Sequence, residues 1–568
     1  MGGRTHFRVH WKILVFKYMR ESILSFYGGG HDCNVSAYLD NKVITIEAER
    51  IFGNRYLSME FLSPEERLGF LNYVKEILKE EGVFSSHYDV GLFEWGTPPP
   101  SVEMVEEFFH VKKSYHFSHH QAHAAGAFYS SGFEEALVVS HDGGGDDGTF
   151  CVFDVKKAAP DFTPIHEYIS NPFSTKYSTL GRFMAEIRPP EGSPLRQRLQ
   201  TNPHPTGSSP LAHRRLQDID QSIAGKIMGL SAYGSLNEGF VERILNYFRH
   251  PDEKDEECTP YSPAFWNTFG DLAREGVQGA RAYDLAFSAQ YAFEKYFLEL
   301  FSQQFKPKQH KNVCLTGGGA LNVVLNEKLS KLYPTTNFFV PSSPGDSGLS
   351  YGMLAHYLQD AGVPEMMYGG CKILDEGALP YILSSRPWEK VTPSLIAQEL
   401  EKGKIIGVCR GSSETGPRAL GNRSILADPR NPKGKDIINS KVKFREWYRP
   451  FAPICKEEGA STFFETSSNA CYKYMSFSPP VKEEYRKVLP AITHIDGSSR
   501  LQTISSAQNP FIYSILDEFE KLTGFPILIN TSFNTKGRAI LTRYLTALQI
   551  LDSTQLDGVI LEDYYITK

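Results

Sequence analysis

The apolar positions of this chain fall into short, buried-looking runs that end in glycine, with stretches of helical period between them. The first run, 22–27, enters Gly28-Gly29-Gly30-His31-Asp32. A second, Val35 to Leu39, turns at Asp40-Asn41-Lys42 into Val43 to Glu47, which predicts a hairpin. A helical pattern follows from Pro64 to Glu81. The run Val138 to His141 meets Asp142 and three glycines, and 149–155 reads as its return strand. Val313-Cys314-Leu315 leads into Gly317-Gly318-Gly319 and an amphipathic helix from Leu321 to Leu332, whose start is a natural anion site. Phe338 to Pro341 repeats the plan, with Pro344-Gly345-Asp346-Ser347-Gly348 and a helix from Leu349. Two glycine-rich hairpin turns and two strand–glycine–helix units predict a two-lobed α/β fold with a nucleotide or metal cleft between the lobes.

The pattern changes after Gly369. Residues 371–390 lack a clear period and read as a linker, with a domain boundary near residue 390. A new unit begins with a helix from Thr392 to Lys402 and a strand from Ile405 to Cys409. Near its end, Phe525 to Ile529 is a strong strand, with Asn530-Thr531-Ser532-Phe533-Asn534 offering amides and hydroxyls at the tip. Residues 188–215 hold six prolines and five arginines without a hydrophobic period, so an inserted loop is expected. Residues 1–22 are basic and broken by charge, and read as an extension ahead of the first strand, not a signal peptide.

At 568 residues, the chain has room for about two to four domains. Its net charge of -6 gives no global pull toward nucleic acid or acidic membranes. No run is long enough to cross a bilayer. The eight cysteines form no C-x-x-C pair, so neither a zinc knuckle nor a dithiol site is signalled, and a cytoplasmic location with reduced core cysteines is expected.

Two stretches carry candidate chemistry. His119 and His123 stand four apart and share one face of a helix, and the strand behind them ends at Asp142. That set suits a hard or borderline cation with open coordination positions, against the plainer reading of a polar helix start. The second stretch runs from Gly416 to Pro453, where Arg418, Arg423, Lys443, Arg445 and Arg449 alternate with glycine, proline and aromatic residues. Guanidinium groups bind phosphate in two-point geometry, and several together neutralise a triphosphate or acyl phosphate. The alternative, an RNA-binding basic patch, lacks a wider basic footprint.

On these residues the chain resembles the NodU/CmcH-type O-carbamoyltransferases. The shared motifs run in order from Gly28-Gly29-Gly30-His31-Asp32 through His119-His120-x-Ala122-His123-Ala124, Lys226-x-Met228-Gly229-Leu230 and Gly317-Gly318-Gly319-Ala320-Leu321-Asn322. They continue with Pro344-Gly345-Asp346, Gly416 to Pro429, Arg449-Pro450-Phe451-Ala452-Pro453, His494-Ile495-Asp496-Gly497 and Asn530-Thr531-Ser532-Phe533-Asn534. The resemblance implies an actin- and sugar-kinase-like (ASKHA) domain over 23–370, related to the proteins that place threonylcarbamoyl on tRNA, and a YrdC-like α/β domain over 391–568. It implies that carbamoyl phosphate and ATP with Mg2+ form carbamoyl adenylate in the C-terminal domain. The N-terminal domain, holding Fe2+ or another divalent metal, then passes the carbamoyl group to a hydroxyl of a small-molecule acceptor. Carried over by motif, the metal ligands are His119, His123, Asp142 and Asp346. Gly143, Gly144, Lys226, Gly317, Gly318 and Asn322 would bind nucleotide in the N-terminal domain. Arg418, Arg423, Ser424, Lys443, Arg449, Asn530 and Ser532 would hold carbamoyl phosphate and ATP. The stretch Ser412-Ser413-Glu414-Thr415 departs from the expected pattern, as do 188–215 and the N-terminal extension.

His31 is the candidate general base, since imidazole titrates near working pH, with orientation of a phosphate or a metal-bound water as its other role. His116, His120 and His141 are expected to be structural or supporting. Two further functions fit the same domain types: a tRNA threonylcarbamoyladenosine synthase, and a non-catalytic, actin-like nucleotide-binding module. The first would need a basic surface for tRNA, which the net acidity argues against.

Overall fold

The computed structural model describes residues 21–145, 148–165, 173–187, 222–250, 263–304, 310–359 and 367–568. The expected insertion at 188–215 and most of the expected extension lie outside these residues. The fold is α/β with three mixed sheets. The first contains β1 (Ile23–Tyr27), β2 (Asn34–Leu39), β3 (Lys42–Glu47), β4 (Val90–Glu94) and β5 (Ser114–Phe117), in the order β3-β2-β1-β4-β5. The second contains β6 (Glu135–His141), β7 (Phe150–Lys156), β8 (Asn312–Thr316) and β9 (Asn337–Phe339), in the order β7-β6-β8-β9. Both sheets repeat one plan: an antiparallel hairpin, then parallel strands added on its other side. This is the duplication that the two-lobed reading calls for.

Two helices pack between these sheets. The first, α1 (His119–Ser131), crosses α2 (Leu349–Leu358) so closely that a Cβ on Gly352 would lie 2.1 Å from the Ala122 carbonyl oxygen. Glycine at this crossing lets the two backbones touch, and so fixes the start of α2 beside the histidine face of α1.

The third sheet contains β10 (Trp388–Lys390), β11 (Ile406–Cys409), β12 (Arg423–Ala427), β13 (Ala452–Lys456), β14 (Gln502–Ile504), β15 (Ile527–Ser532), β16 (Gly558–Leu561) and β17 (Tyr564–Thr567). Their order is β10-β17-β16-β11-β12-β15-β13-β14. The stretch 371–390, read as a linker, carries a short helix at Leu379–Ser385 and edge strand β10, which pairs with β17. Strand β15 also runs further than expected: Asn530, Thr531 and Ser532 lie within it, paired to β12, not at its tip. No helix among the described residues is long and apolar enough to cross a membrane.

The N-terminal part docks on the third sheet through buried polar contacts. Glu47, at the end of β3, accepts the Gly416 N–H at 2.7 Å. Arg50 donates to the Gly416 carbonyl at 2.7 Å and to the second Glu47 oxygen at 3.1 Å. The side chain of Asn469 donates to the carbonyls of Ser330, Tyr333 and Thr336. Gly416 is left-handed, with φ of 88°, and a Cβ there would sit 2.4 Å from the Ser342 carbonyl oxygen. Gly416→Ala is therefore expected to lower stability by about 1–3 kcal/mol from the backbone conformation alone, and by more if Ser342 cannot yield. Denaturant unfolding would measure this, and an unchanged midpoint would refute it.

Candidate functional site

Helix α1 starts at His119 because Ser118 caps it: the Ser118 hydroxyl accepts the Gln121 N–H, and the Gln121 side chain accepts the Ser118 N–H. His119 and His123 therefore occupy one face of its first turns. Strand β6 ends at His141 and delivers Asp142 opposite them. One oxygen of Asp142 accepts the N–H groups of Gly143, at 2.6 Å, and Gly318, at 3.1 Å. The other lies 3.2 Å from His119 Nε2 and 3.0 Å from His123 Nε2. Asp346 arrives just before α2, with Oδ1 3.6 Å and 3.5 Å from the same two nitrogens. Its Oδ2 accepts the Tyr27 hydroxyl at 2.9 Å. The two Nε2 atoms are 3.2 Å apart. All four side chains are buried, and their candidate ligand atoms lie within 4.8 Å of one another.

This geometry fits a metal ion. Neighbouring ligand atoms about 2.1 Å from a common centre sit roughly 3.0–3.5 Å apart, close to the histidine–histidine and histidine–aspartate edges of 3.0–3.6 Å found here. Two imidazole nitrogens facing each other need a cation or a proton between them. His119 Nδ1 faces buried Glu94 Oε1 at 3.5 Å, which favours the proton on Nδ1 and an inward lone pair on Nε2. Tyr27 ends β1 and Glu94 ends β4, so the site gathers at the carboxyl ends of parallel strands.

The cluster's own charges show the same need. Burial pushes the His119 pKa down, but Asp346 and Asp142 outweigh it and hold the ring well above its ordinary value. His123 is raised likewise: burial works against the shift, while Asp142 and Asp346 drive it. Burial and Asp346 push the Asp142 carboxyl up, yet bonds from both histidines hold it below the usual range. Asp346 is lowered too, because the pull of His31 and His119 exceeds the cost of burial. His31 has Nδ1 3.0 Å from Asp32 and Nε2 3.6 Å from Asp346. Burial lowers its pKa, but these two carboxylates lift it to about 10.

The neighbouring histidines do not enter the cluster. His116 is exposed and stacks on Trp95 at 4.7 Å. His120 contacts the Ser140 hydroxyl at 2.7 Å and the Gly148 carbonyl at 2.9 Å. His141 is buried against Phe297, and burial pushes its pKa down to about 3.

The six residues expected to bind nucleotide in this part have different surroundings. Gly143 and Gly318 hold Asp142, with Gly144 exposed beyond Gly143 and Gly317 turning the chain at φ of 84°. Lys226 Nζ lies 3.5 Å from Glu446, next to the cationic stretch. Asn322 caps the helix Val323–Leu332 through the Leu325 N–H and exchanges amide bonds with Gln290.

In the third sheet, the seven expected donor-site residues divide in two. Buried Glu414 accepts the N–H groups of Leu420, Asn422 and Arg423 through one oxygen, and so folds the loop from Gly416 to Gly421. The 412–415 stretch that departs from the expected pattern thus builds the signature. Arg423 turns inward, is 0% exposed and donates to the carbonyls of Arg410, Gly411 and Asn422. Ser424 is buried and accepts the Gly421 N–H. Asn530 donates to the Ala419 carbonyl and to Gln502. These three hold the loop from within.

Arg418, Lys443 and Arg449 instead join Arg445 in a cluster of like charge, and Lys443 Nζ reaches the Ser532 hydroxyl at 3.2 Å. Burial, then Arg449 and Arg55, push Arg418 down to about 10. Burial, Arg445, Arg449 and Arg55 lower Lys443, and burial and Arg449 lower Arg445. Arg500 is lowered by burial and by Arg418, Arg445 and Arg449. Sequence reasoning missed Arg55 and Arg500. The only signal for Arg500 was its place just beyond the His494-to-Gly497 motif, and Arg55 had none.

Comparison with known proteins settles the family. Residues 71–354 match the family model for the carbamoyltransferase N-terminus, and residues 397–568 match that for the carbamoyltransferase C-terminus. The chain belongs to the carbamoyltransferase family. Nodulation protein NolO of Bradyrhizobium diazoefficiens is 32% identical over 79% of this chain and 79% of its own length. Nodulation protein NolNO of Sinorhizobium fredii is 32% identical over 79% of this chain and 63% of its own. Nodulation protein U of Sinorhizobium fredii is 35% identical over 56% of this chain and 59% of its own. Among solved structures, full-length HypF in its phosphate- and nucleotide-bound form aligns over 60% of this chain and 56% of that one. Its identity is 14% and its TM-score 0.33, too low to carry an argument.

For this family member, two outcomes follow from the metal geometry. Tyr27→Phe is expected to weaken divalent-cation binding by about 10- to 100-fold by freeing Asp346, while His123→Ala abolishes it. Titration with Mn2+ would measure both, and unchanged affinity in Tyr27→Phe would refute the supporting role. The second outcome concerns pH. The raised pKa values of His119 and His123 favour proton uptake by the metal-free pair, whereas a cation needs the inward nitrogens free of protons. Binding should release protons and weaken as pH falls. Equal binding heats in buffers of different ionisation enthalpy would contradict this.

Proposed function

We propose that this protein is an ATP-dependent O-carbamoyltransferase in which the third-sheet domain activates the carbamoyl group and the two-lobed domain transfers it. The observation that carries this reading is a pair of clusters with opposite unmet charge, a buried one short of a cation and a half-buried one short of an anion. The repeated hairpin-plus-parallel plan of the first two sheets supports an actin-like N-terminal domain.

In the activating step, water releases phosphate from carbamoyl phosphate. The carbamate oxygen then displaces pyrophosphate at the α-phosphorus of ATP, which enters with Mg2+. Arg418, Lys443 and Arg449 offset the charge gathered there, and Ser532 and Asn534 fix the Lys443 ammonium. Arg423, Ser424 and Asn530 act through the loop they hold. In the transfer step, the acceptor hydroxyl oxygen attacks the carbamoyl carbonyl and AMP leaves.

His31 is the group proposed to take the hydroxyl proton. Asp32 fixes its Nδ1, and Nε2 lies on the side of Asp346. An iron or other divalent ion held by His119, His123, Asp142 and Asp346 would act as a Lewis acid and, by offsetting the Asp346 charge, bring His31 back toward its working range. Gly143, Gly144, Gly317 and Gly318 offer the turn along which the nucleotide portion would lie. The acceptor is a small-molecule alcohol.

The test is direct. With ATP and carbamoyl phosphate, the protein should release pyrophosphate and form carbamoyl adenylate detectable by mass spectrometry. Arg418→Ala should stop this release, whereas His123→Ala should preserve it and lose only transfer. No pyrophosphate from the unmodified protein, or equal loss of both half-reactions in His123→Ala, would overturn the division of labour.

A further inference from the structure

The cation cluster is not confined to the third sheet. The loop that follows Phe52 in the N-terminal part lies against the segment 534–539. The Gly53 carbonyl accepts the Ala539 N–H at 3.3 Å, and Asn54 forms a β-bridge with Arg538. The same segment holds Lys443: the Asn534 carbonyl takes its ammonium at 2.8 Å, and Lys536 donates its N–H to the Lys443 carbonyl at 3.1 Å. Arg55, the residue after the bridge, is thereby brought to the cluster from the other side. Its charge is felt there, since it helps to lower both Arg418 and Lys443.

The backbone is constrained on both flanks. Tyr56 has φ of 60°, a left-handed conformation that aromatic side chains disfavour, and Glu49 holds its N–H at 3.0 Å. The Arg55 guanidinium lies 4.5 Å over the Tyr56 ring. Phe444, between Lys443 and Arg445, has φ of 50°. Each part of the chain thus places one strained aromatic residue next to a cluster cation, as happens at ligand clamps.

The charges do not balance without a ligand. Glu446 is the carboxylate beside the cluster, and it is shared among Lys226, Arg449 and Lys536 at 3.4–3.7 Å. Arg500 Nε is buried without a hydrogen-bond partner among the described residues. Crowding cations at a half-buried site costs free energy that folding alone does not return.

We propose that Arg55 is a binding residue of this anion site: the N-terminal part supplies one guanidinium to a polyphosphate whose other contacts come from the third-sheet part. The activating site is then complete only across both parts of the chain. Six cations with two carboxylates near them, Glu446 and the Glu49 within reach of Arg55, suit a triphosphate better than a single phosphate dianion. The inference rests on the phosphate-binding reading of the cluster given above.

Binding of inorganic tripolyphosphate to the full chain, followed by calorimetry, tests it. Arg55→Gln is expected to bind about tenfold more weakly, and Arg55→Lys to keep most of the affinity. Removing a like charge should leave the melting temperature of ligand-free Arg55→Gln unchanged or raised. Unaltered binding in Arg55→Gln, or a fall in its ligand-free melting temperature without rescue by lysine, would overturn the proposal. Arg418→Gln, measured in parallel, separates the two levels. Loss there with normal binding in Arg55→Gln removes this inference alone, and normal binding in both removes the phosphate reading itself.

Discussion

Arg50 lies buried between the Glu47 carboxylate and the Gly416 carbonyl, and the relative placement of the two charged clusters follows from that contact. Burying an ion pair is costly, and bonds to its remaining donors and acceptors offset that cost in part, although Arg50 Nη1 has no partner among the described residues. Here the other Glu47 oxygen takes the Gly416 N–H, so both peptide groups of one glycine are satisfied by the pair. The Arg50 carbonyl accepts the Thr542 hydroxyl as well. Glu47 closes β3, which is tied through β2 to β1, where Tyr27 supports Asp346. Gly416 stands two residues before Arg418. One buried contact therefore links the strand framework of the metal ligands to the first arginine of the anion cluster.

Each cluster leaves charge that the protein does not cancel. Glu94, Asp142 and Asp346 surround two imidazoles, and at the cation cluster Glu446 is shared among Lys226, Arg449 and Lys536. Arg423 shows what cancellation looks like in the same loop. It is fully buried, and carbonyls of Arg410, Gly411 and Asn422 meet its two terminal nitrogens, with Nε left without a partner among the described residues. Arg418 has no ion pair among the described residues, and burial and like charges depress its pKa. The contrast separates an arginine that builds the loop from one held ready for an anion. Stability given up at the second kind of site is recovered only when ligand binds.

What could be read from the chain depended on whether the chemistry was local. His119, His123 and Asp142 were legible because helix spacing and a strand end are local patterns. Asp346 emerged only through a family motif, since nothing near it announces a distant partner. Tyr27 and Glu94 look like the last residues of ordinary strands, and become meaningful once β1 and β4 are seen to be parallel neighbours. Arg418 and Arg423 were indistinguishable by composition, because their difference lies in which side of the loop Glu414 turns inward. The 371–390 stretch hid its strand because all three residues of β10 are exposed and leave no apolar alternation. Asn530 hid the length of β15 for the opposite reason: it is a buried polar residue whose side-chain N–H groups are taken by Ala419 and Gln502.

The Lys226-to-Leu230 motif shows why motif membership does not fix a role. Its helix lies against the segment that supplies Arg445 and Arg449: Lys226 pairs with Glu446, and the Gly229 position faces Tyr448 and Pro450 at van der Waals distance. Just beyond it, Tyr233 meets Trp447 edge-on at 5.0 Å and takes a bond from Lys435 at 3.1 Å. These residues therefore register the N-terminal part on the cationic segment, in a second contact independent of Arg50. On the proposed reaction, carbamoyl adenylate is a mixed anhydride that water destroys, so activation and transfer must occur without free exchange with solvent. The contacts at Gly416 and Glu446, with those of Asn469 and Gly53, hold the parts in a single register. A chain that relied on one of them would leave the intermediate's path free to open.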